Sequence, residues 1–346
     1  MGAGGAGSLC IHMDAVILAG GQGTRLRPLT DTRPKPLLPF MGEPFAVGLL
    51  RRLAEAGCQR ATFLVGADAS PWQGLAVDGV TVDVVTEETP LDTAGAARRL
   101  LRDAGPDGPV LVCNGDILTD LDYGALLAMH VSVGAAATLA LTRVEDTTSF
   151  GVVVVEDGDI VAEFVEKPAP GTVDADTVNA GTYVLAPDVF AAFPGDGPLS
   201  FERTVFPGLV QAGGEVLGFV SPAHWQDLGT PERYLAGHRA VLDGHCRWPH
   251  ADGLHLVDGP SAVHATADVD PTADVGVGVV VGPGCVVEAG ARVADAVLHG
   301  GVRVGSHAQV RRAILGEGAD VGAGAVVGPD AVLADGEVVP ADTRRP

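Results

Sequence analysis

From residue 263 onward one pattern governs the chain: an aliphatic residue recurs every six positions. Val263, Val269, Val275, Val281, Val287 and Val293 keep the interval. It shortens by one residue at Leu298, resumes at Val304 and Val310, and shortens again at Leu315. Val321, Val327, Leu333 and Val339 complete the run, with Gly and Ala between them. A period of six fits neither an α-helix, at 3.6, nor the alternation of an ordinary strand, at 2. It is the hexapeptide signature of a parallel β-helix, in which each coil is three short strands and one aliphatic side chain per strand stacks inside. At roughly 18 residues per coil, the run predicts about four coils over 257–340.

The region before it reads differently. Residues 14–19 (DAVILA) form a short β-branched run that ends at Gly20-Gly21, a buried strand feeding a glycine loop. Predicted helices at 44–57 and 93–104 alternate with predicted strands at 61–65, 82–86 and 110–116, the pattern of βαβ units and a mostly parallel sheet. Strands dominate from 134: 134–142, 151–156, 160–165 and 181–186, with Asp157-Gly158 as a hairpin turn. A helix at 200–212, a strand at 215–220 and a helix from Thr230-Pro231-Glu232 to about 242 follow. The expected fold class is therefore α/β: a Rossmann-like, mostly parallel sheet at 13–240 and a β-helix at 257–340. Residues 241–256, rich in Gly, His, Pro and Asp, read as a linker, and 341–346 as a tail. Residues 1–12 lack the positive and apolar regions of a signal peptide and read as a flexible extension.

Charge limits the partners. The 22 Lys+Arg stand against 44 Asp+Glu, a formal net charge of −22. Nucleic acid and anionic membrane both require a basic face, so neither is an expected partner. No apolar run is long enough for a membrane span. Five scattered cysteines with no C-x-x-C spacing read as idle thiols in a reducing cytoplasm. Among the 22 basic residues only Lys35 and Lys167 are lysines. In a chain that otherwise uses arginine, two sites that keep a compact ammonium attract notice.

Lys35 lies in LAGGQGTRLRPLTDTRPKPLLP, residues 18–39. Glycines at 20, 21 and 23 let backbone N–H groups approach an anion closely. The string is neither a Walker loop nor a dinucleotide fingerprint, because it has no G-x-x-x-x-G-K-[ST] and no third glycine at 26. It resembles the signature of the sugar-1-phosphate nucleotidylyltransferases, and most of all the mannose-1-phosphate guanylyltransferases with a C-terminal hexapeptide β-helix. Four further segments agree in order: TEETPLDTAGA (86–96), NGD (114–116), FVEKP with VNAGTYVL (164–168 and 178–185), and HWQDLGTPERYL (224–235).

The resemblance implies a left-handed β-helix and a set of roles. Leu18, Gly20, Gly21, Gly23, Thr24 and Arg25 would bind the nucleotide, with Asp92 and Thr93 in the base loop. Arg25 and Lys35 would offset phosphate charge. Gly151, Glu166, Lys167 and Asn179 would bind the sugar phosphate. Asp116 and Asp227 would hold Mg²⁺, a hard ion suited to carboxylate and phosphate oxygens. Substrates would be a nucleoside triphosphate, GTP first, and a hexose 1-phosphate, mannose 1-phosphate first. A valienol-type cyclitol 1-phosphate and glucose 1-phosphate are the alternatives, and a non-catalytic regulatory homologue is the rival of another class. A homo-oligomer through the β-helix and a cytoplasmic location complete the expectation. A sugar phosphate is already mostly dianionic at pH 7, so no general base is needed. His264, His299 and His307 in the repeat raise the thought of acyl transfer, which nothing else in the sequence supports. One departure stands out: Asp92 occupies a position where the resemblance implies glycine. Its carboxylate could accept from guanine N1–H and the 2-amino group, or it could cap the helix that follows.

The lysine argument has a direct test. Lys167→Arg keeps the charge but replaces a point donor with a planar fork. Loss of one charge-assisted contact is worth about 1.5–3 kcal/mol, so kcat/KM should fall roughly ten- to a hundredfold; a value near wild type would refute it.

Overall fold

The computed structural model describes residues 13–257 and 259–346; the expected extension at 1–12, with Cys10, lies outside them. Strand β1 (Met13–Leu18) is followed by a small ribbon, β2 (Pro39–Phe40) and β3 (Glu43–Pro44), and by helix α1 (Phe45–Glu55). Next come β4 (Cys58–Val65), β5 (Thr81–Thr86), α2 (Asp92–Ala104), β6 (Val110–Asn114), β7 (Ile117–Thr119) and α3 (Tyr123–Val133). Then follow β8 (Ala137–Arg143), β9 (Gly151–Val155), β10 (Val161–Glu166), β11 (Thr177–Leu185), α4 (Phe206–Gln211), β12 (Val216–Val220), β13 (Trp225–Asp227) and α5 (Pro231–Leu242).

β6, β1, β4 and β5 lie side by side and parallel. The sheet turns antiparallel where β11 joins β6 and β8. Both faces are covered, and the alternation of side chains along a strand shows it. Ala15 and Ile17 join one apolar cluster with Leu49 and Leu53 of α1, whereas Val16 joins another with Ala97 and Leu101 of α2. Near-continuous apolar strands of this kind need helices on both sides.

Some elements depart from the sequence expectation. The strand expected at 134–142 begins at Ala137, because Gly134 adopts a left-handed conformation (φ 74°) and ends α3. α3 itself gave no helical period, being apolar on most faces. The strand expected at 181–186 starts earlier, at Thr177, and the helix expected at 200–212 opens with a wide π turn over Phe201–Val205.

The repeat region is a stack of parallel coils. Residues six apart occupy successive faces, and each face continues in the next coil: Val281 pairs with Leu298 and Leu298 with Leu315, while Val287, Val304, Val321 and Val339 form a second row. Val275, Val293, Val310 and Val327 form the third. The two shortened intervals fall at Asp295 and Arg312, both in the left-handed region (φ 51° and 44°) inside the seven-residue strands Arg292–Leu298 and Gln309–Leu315. These strands stack on each other, so both coils lose a residue at the same corner and register survives. A second inward row sits two residues before many of these aliphatics: Ala291, Ala296, Ala308, Ala313, Ala319 and Ala325 are all buried. Small residues there leave the interior room for Val and Leu.

The two regions share one core. Val280, Val297 and Ile314 are consecutive partners on one coil face and join the apolar cluster that holds Phe40, Tyr234 and Trp248. The segment 241–256, read from composition as a linker, is well packed. Trp248 stacks on Phe45 with ring centroids 4.7 Å apart, and Leu254–Val257 pairs antiparallel with Ser261–His264 at the start of the coils. At the other end Arg344–Arg345, in the expected tail, pairs with Val326–Val327.

Two buried histidines lie in this seam. His238 Nδ1 donates to Tyr234 O (3.0 Å) and Nε2 accepts from Met41 N (3.3 Å). His299 Nε2 lies 3.1 Å from the Tyr234 hydroxyl, which donates to Pro39 O. Burial pushes His238 down to about 4 and His299 down to about 3. The unfolded chain takes up these protons near pH 6.5 and the folded one does not. Their stabilisation is therefore complete above about pH 6.5 and is lost as pH falls toward 4. Each should contribute a slope of about 1.4 kcal/mol per pH unit in that window. Denaturant midpoints measured from pH 7 to 4.5 should fall, and less steeply in His238→Gln; equal slopes would refute this.

Candidate active site at the carboxyl ends of β1 and β6

Open parallel sheets bind ligands beyond the carboxyl ends of their strands, and the candidate residues converge there. β1 is fixed at its end by Ala19 N donating to Leu64 O (2.8 Å) and by Gly115 N donating to Leu18 O (2.9 Å). The glycine loop then turns over the strand tip. Gly23 is left-handed (φ 62°), and a Cβ there would lie 3.0 Å from Thr30 Cγ2 and 3.3 Å from Lys35 Cβ. Glycine is required for both reasons, and it lets the loop rest directly against Lys35. Thr24 and Arg25 follow in a short helical turn.

Asp116 follows β6 after Asn114-Gly115. Asp227 arrives from far along the chain because β13 pairs antiparallel with β7, with Asp227 opposite Ile117. Leu228 N donating to Asp116 O (3.1 Å) closes the arrangement. Between the two carboxylates sits the Lys35 ammonium, with Nζ 2.6 Å from Asp116 Oδ2 and 3.2 Å from Asp227 Oδ1. Lys35 is only 9% exposed, so its charge is largely taken out of water and needs both partners. Arg233 Nη1 adds a contact to Asp227 Oδ2 at 2.8 Å. Arg25 is 66% exposed, with Nη2 3.9 Å from Asp227, free to turn toward an incoming anion. Leu18, Gly21, Thr24, Arg25, Lys35 and Asp116 line a cavity of about 280 Å³.

The carboxylate pair faces a cation already, in the form of the ammonium. Hard oxygen donors so placed suit Mg²⁺, which takes one or two carboxylates and completes its shell with water and phosphate oxygens. No cluster of three or more His, Cys, Asp or Glu side chains that could hold a metal occurs among the described residues, so the pair would rely on the phosphates.

The sugar-phosphate candidates gather around the β9–β10 pair. Gly151 lies opposite Glu166, and a Cβ on Gly151 would come within 2.9 Å of the Glu166 carboxylate. Lys167 is left-handed (φ 49°), its N donating to Phe150 O at 3.0 Å and its Nζ 3.5 Å from Glu166 Oε1. Asn179 Nδ2 donates to Tyr183 Oη on the same strand (2.8 Å), and its Oδ1 accepts from Gly181 N (2.9 Å). Phe150 packs edge-on against Trp225 of β13, whose indole donates to Ala180 O at 2.9 Å. That wall ties the sugar side to the strand carrying Asp227.

Asp92 and Thr93 are held elsewhere. Asp92 is the first residue of α2 with φ 63°, which accounts for glycine at this position in the resembling sequences. Its carboxylate accepts from Thr93 N (2.8 Å) and pairs with Arg203. Thr93 Oγ1 donates to Glu202 at 2.7 Å. Two residues near the cavity escaped the sequence reading. Arg233 lies six residues after Asp227, inside a segment already quoted. Glu87 accepts from Leu91 N (3.3 Å) and rests 3.3 Å from where a Cβ on Gly20 would be; burial pushes its carboxyl up. Of the repeat histidines, His299 is buried against Tyr234, and His264 meets Thr266 and Asp252 O. Cys58, Cys113, Cys246 and Cys285 are buried free thiols. A larger groove, about 680 Å³, lies between α5 and the coils, but its arginines, Arg239 and Arg312, are paired with Asp243 and Asp330.

A family model described as nucleotidyl transferase matches residues 14–244, and one described as the GMPPB C-terminal domain matches 257–343. The chain belongs to the nucleotidyl transferase family. A mannose-1-phosphate guanylyltransferase of Mycobacterium tuberculosis (strain ATCC 25618 / H37Rv) is 38% identical over 310 residues, 87% of this chain and 84% of that one. A probable mannose-1-phosphate guanylyltransferase 1 of Oryza sativa subsp. japonica is 36% identical over 316 residues, 88% and 86%. Among solved structures, HddC from Yersinia pseudotuberculosis superposes with a TM-score of 0.53 at 30% identity, over 65% of this chain and 97% of that one. This nucleotidyl transferase is thus an enzyme with the family's two-part architecture. Arg25, Lys35, Asp116, Lys167 and Asp227, the residues on which the resemblance places the reaction, are all present in it.

Gly181 offers a test of how the site is held. It is left-handed (φ 71°), and a Cβ there would clash with Asn114 Nδ2, at the turn that carries Asp116. Gly181→Ala should cost about 1–3 kcal/mol in a urea titration and lower kcat by displacing that turn. An unchanged midpoint and unchanged kcat would show that the turn tolerates the methyl.

Proposed function

We propose that this enzyme transfers a guanylyl group from GTP to mannose 1-phosphate, giving GDP-mannose and pyrophosphate. The observation that carries the reaction is Lys35 held between Asp116 and Asp227 beside a glycine loop. The substrates are supported by relatives bearing that activity's name over 84–86% of their own lengths.

The reaction brings one anion against another, so its barrier is chiefly electrostatic. The sugar phosphate attacks as a dianion, a P–O bond forms at the α-phosphorus of GTP, and the bond to pyrophosphate breaks. Backbone N–H groups of the 20–24 loop would cradle the triphosphate. Arg25, exposed at the cavity mouth, would close on it, and Lys35 would oppose charge at the α-phosphate. Lys167, with Glu166, Gly151 and Asn179 around the hydroxyls, would seat the sugar phosphate in line. Asp116 and Asp227 would hold Mg²⁺, which when bound offsets charge on the reacting phosphates. Asp92 and Thr93 would serve the nucleotide loop through their backbone, since the Asp92 carboxylate is engaged by Arg203 and Thr93 N. Self-association through the coils belongs to the same reading; exposed Leu256, Val257 and Val277 support it.

A panel of GTP, ATP and UTP against mannose, glucose and valienol 1-phosphates, read by pyrophosphate release, tests the substrates. The highest kcat/KM should belong to GTP with mannose 1-phosphate; a higher value for any other pair overturns the assignment. Asp116→Asn and Asp227→Asn should each lower kcat by roughly a hundredfold or more, with a lower thermal midpoint because the shielded Lys35 ammonium loses a counter-charge. Normal turnover at low Mg²⁺ in either would make that aspartate structural.

A further inference from the structure

Two residues before Lys35, the same loop is gripped by the coil stack. Arg33 Nη2 lies 2.6 Å from Glu317 Oε2 and 2.8 Å from Asp335 Oδ2. Thr32 Oγ1 donates to the same Asp335 oxygen at 2.7 Å. Asp335 is itself fixed, its other oxygen accepting from Glu317 N at 2.8 Å in the neighbouring coil. Arg33 and Asp335 are mostly shielded, at 25% and 17% exposure, whereas Glu317 is 53% exposed, so it is the Arg33–Asp335 pair that is not an ordinary solvated surface contact. A second grip falls at Pro39, whose carbonyl accepts from Tyr234 while His299 of the coils meets the same hydroxyl.

What lies between Arg33 and the ammonium is stiff. The chain reads Arg33-Pro34-Lys35-Pro36. Each proline fixes its own φ and restricts the residue before it, so Arg33 and Lys35 are both constrained. Pro34 to Leu37 is further closed by Leu37 N donating to Pro34 O at 2.9 Å. A displacement of Arg33 therefore carries to Lys35 with little slack. We infer that Glu317 and Asp335 of the coil stack are positioning residues for the transfer reaction, acting through Arg33 and the Pro34-Lys35-Pro36 strip to hold the Lys35 ammonium at the carboxylate pair. The inference rests on the proposed role of Lys35, and it gives the coils a part in the chemistry beyond architecture.

The test uses the full-length protein and the isosteric variant Glu317→Gln/Asp335→Asn, which removes the two charges and keeps the shapes. Expected are a kcat lower by about tenfold with both KM values within about twofold of wild type, and faster hydrogen exchange in the peptide spanning 29–38. Asp335→Glu in the wild-type background should recover most of the rate that Asp335→Asn loses. Arg33→Ala should lower kcat similarly, and adding Asp335→Asn to it should cause little further loss, because both changes break one connection. An unchanged kcat, a loss confined to KM, or losses that multiply would overturn the inference. If the wild-type protein turned over no pair in the substrate panel, the functional reading would fail, and exchange over 29–38 would still decide the clamp: faster in the variant supports it, unchanged overturns it.

Discussion

A lysine ammonium between two aspartates is the interaction around which this molecule is arranged. Lys35, Asp116 and Asp227 come from widely separated parts of the chain. Each is delivered by a different device: a proline-braced loop, a strand-end turn and a two-strand ribbon. A shielded cation is stable only while its counter-charges stay in place, since losing one leaves the other charges poorly compensated. The sheet, the ribbon and the coil stack all bear on that requirement. In a protein of net charge −22, a cluster that gathers Lys35, Arg25 and Arg233 reduces the repulsion an anionic substrate meets there.

The β-helix is part of this arrangement. Its outward face completes the apolar core that contains Phe40 and Trp248, and its acidic edge reaches the loop beside Lys35. The inward face is built separately, from Val or Leu with, at most positions, a small residue two places earlier. One set of short strands thus serves two purposes, because alternate side chains point to opposite sides.

The repeat was legible in the sequence because its period belongs to no other regular structure, and even its two short intervals map onto a single corner. The glycine loop and Lys35 were legible as a unit, since both fall within the single string 18–39. Less came through where structure depends on distant pairs. Arg33 and Asp335 stand near opposite ends of the chain, and no local pattern marks them as partners. Arg233 was hidden in plain view, read as helix rather than as a neighbour of Asp227. α3 carries apolar residues around most of its circumference, so it has no 3.6-residue stripe to find. At Asp92 the departure from glycine was visible, but the left-handed backbone that favours glycine there was not; the carboxylate meets Arg203, which only the fold brings near.

The shared core has a consequence for synthesis. A chain leaves the ribosome amino end first, and early domains usually fold as they emerge. Here the face formed by Phe40, Tyr234 and Trp248 is covered only when Val280, Val297 and Ile314 arrive. Until then the nascent catalytic half carries an apolar surface in water, with its Lys35 loop held by one side alone. Completion of the last coils is therefore the moment at which the active half loses its exposed apolar face and its loop becomes fully fixed.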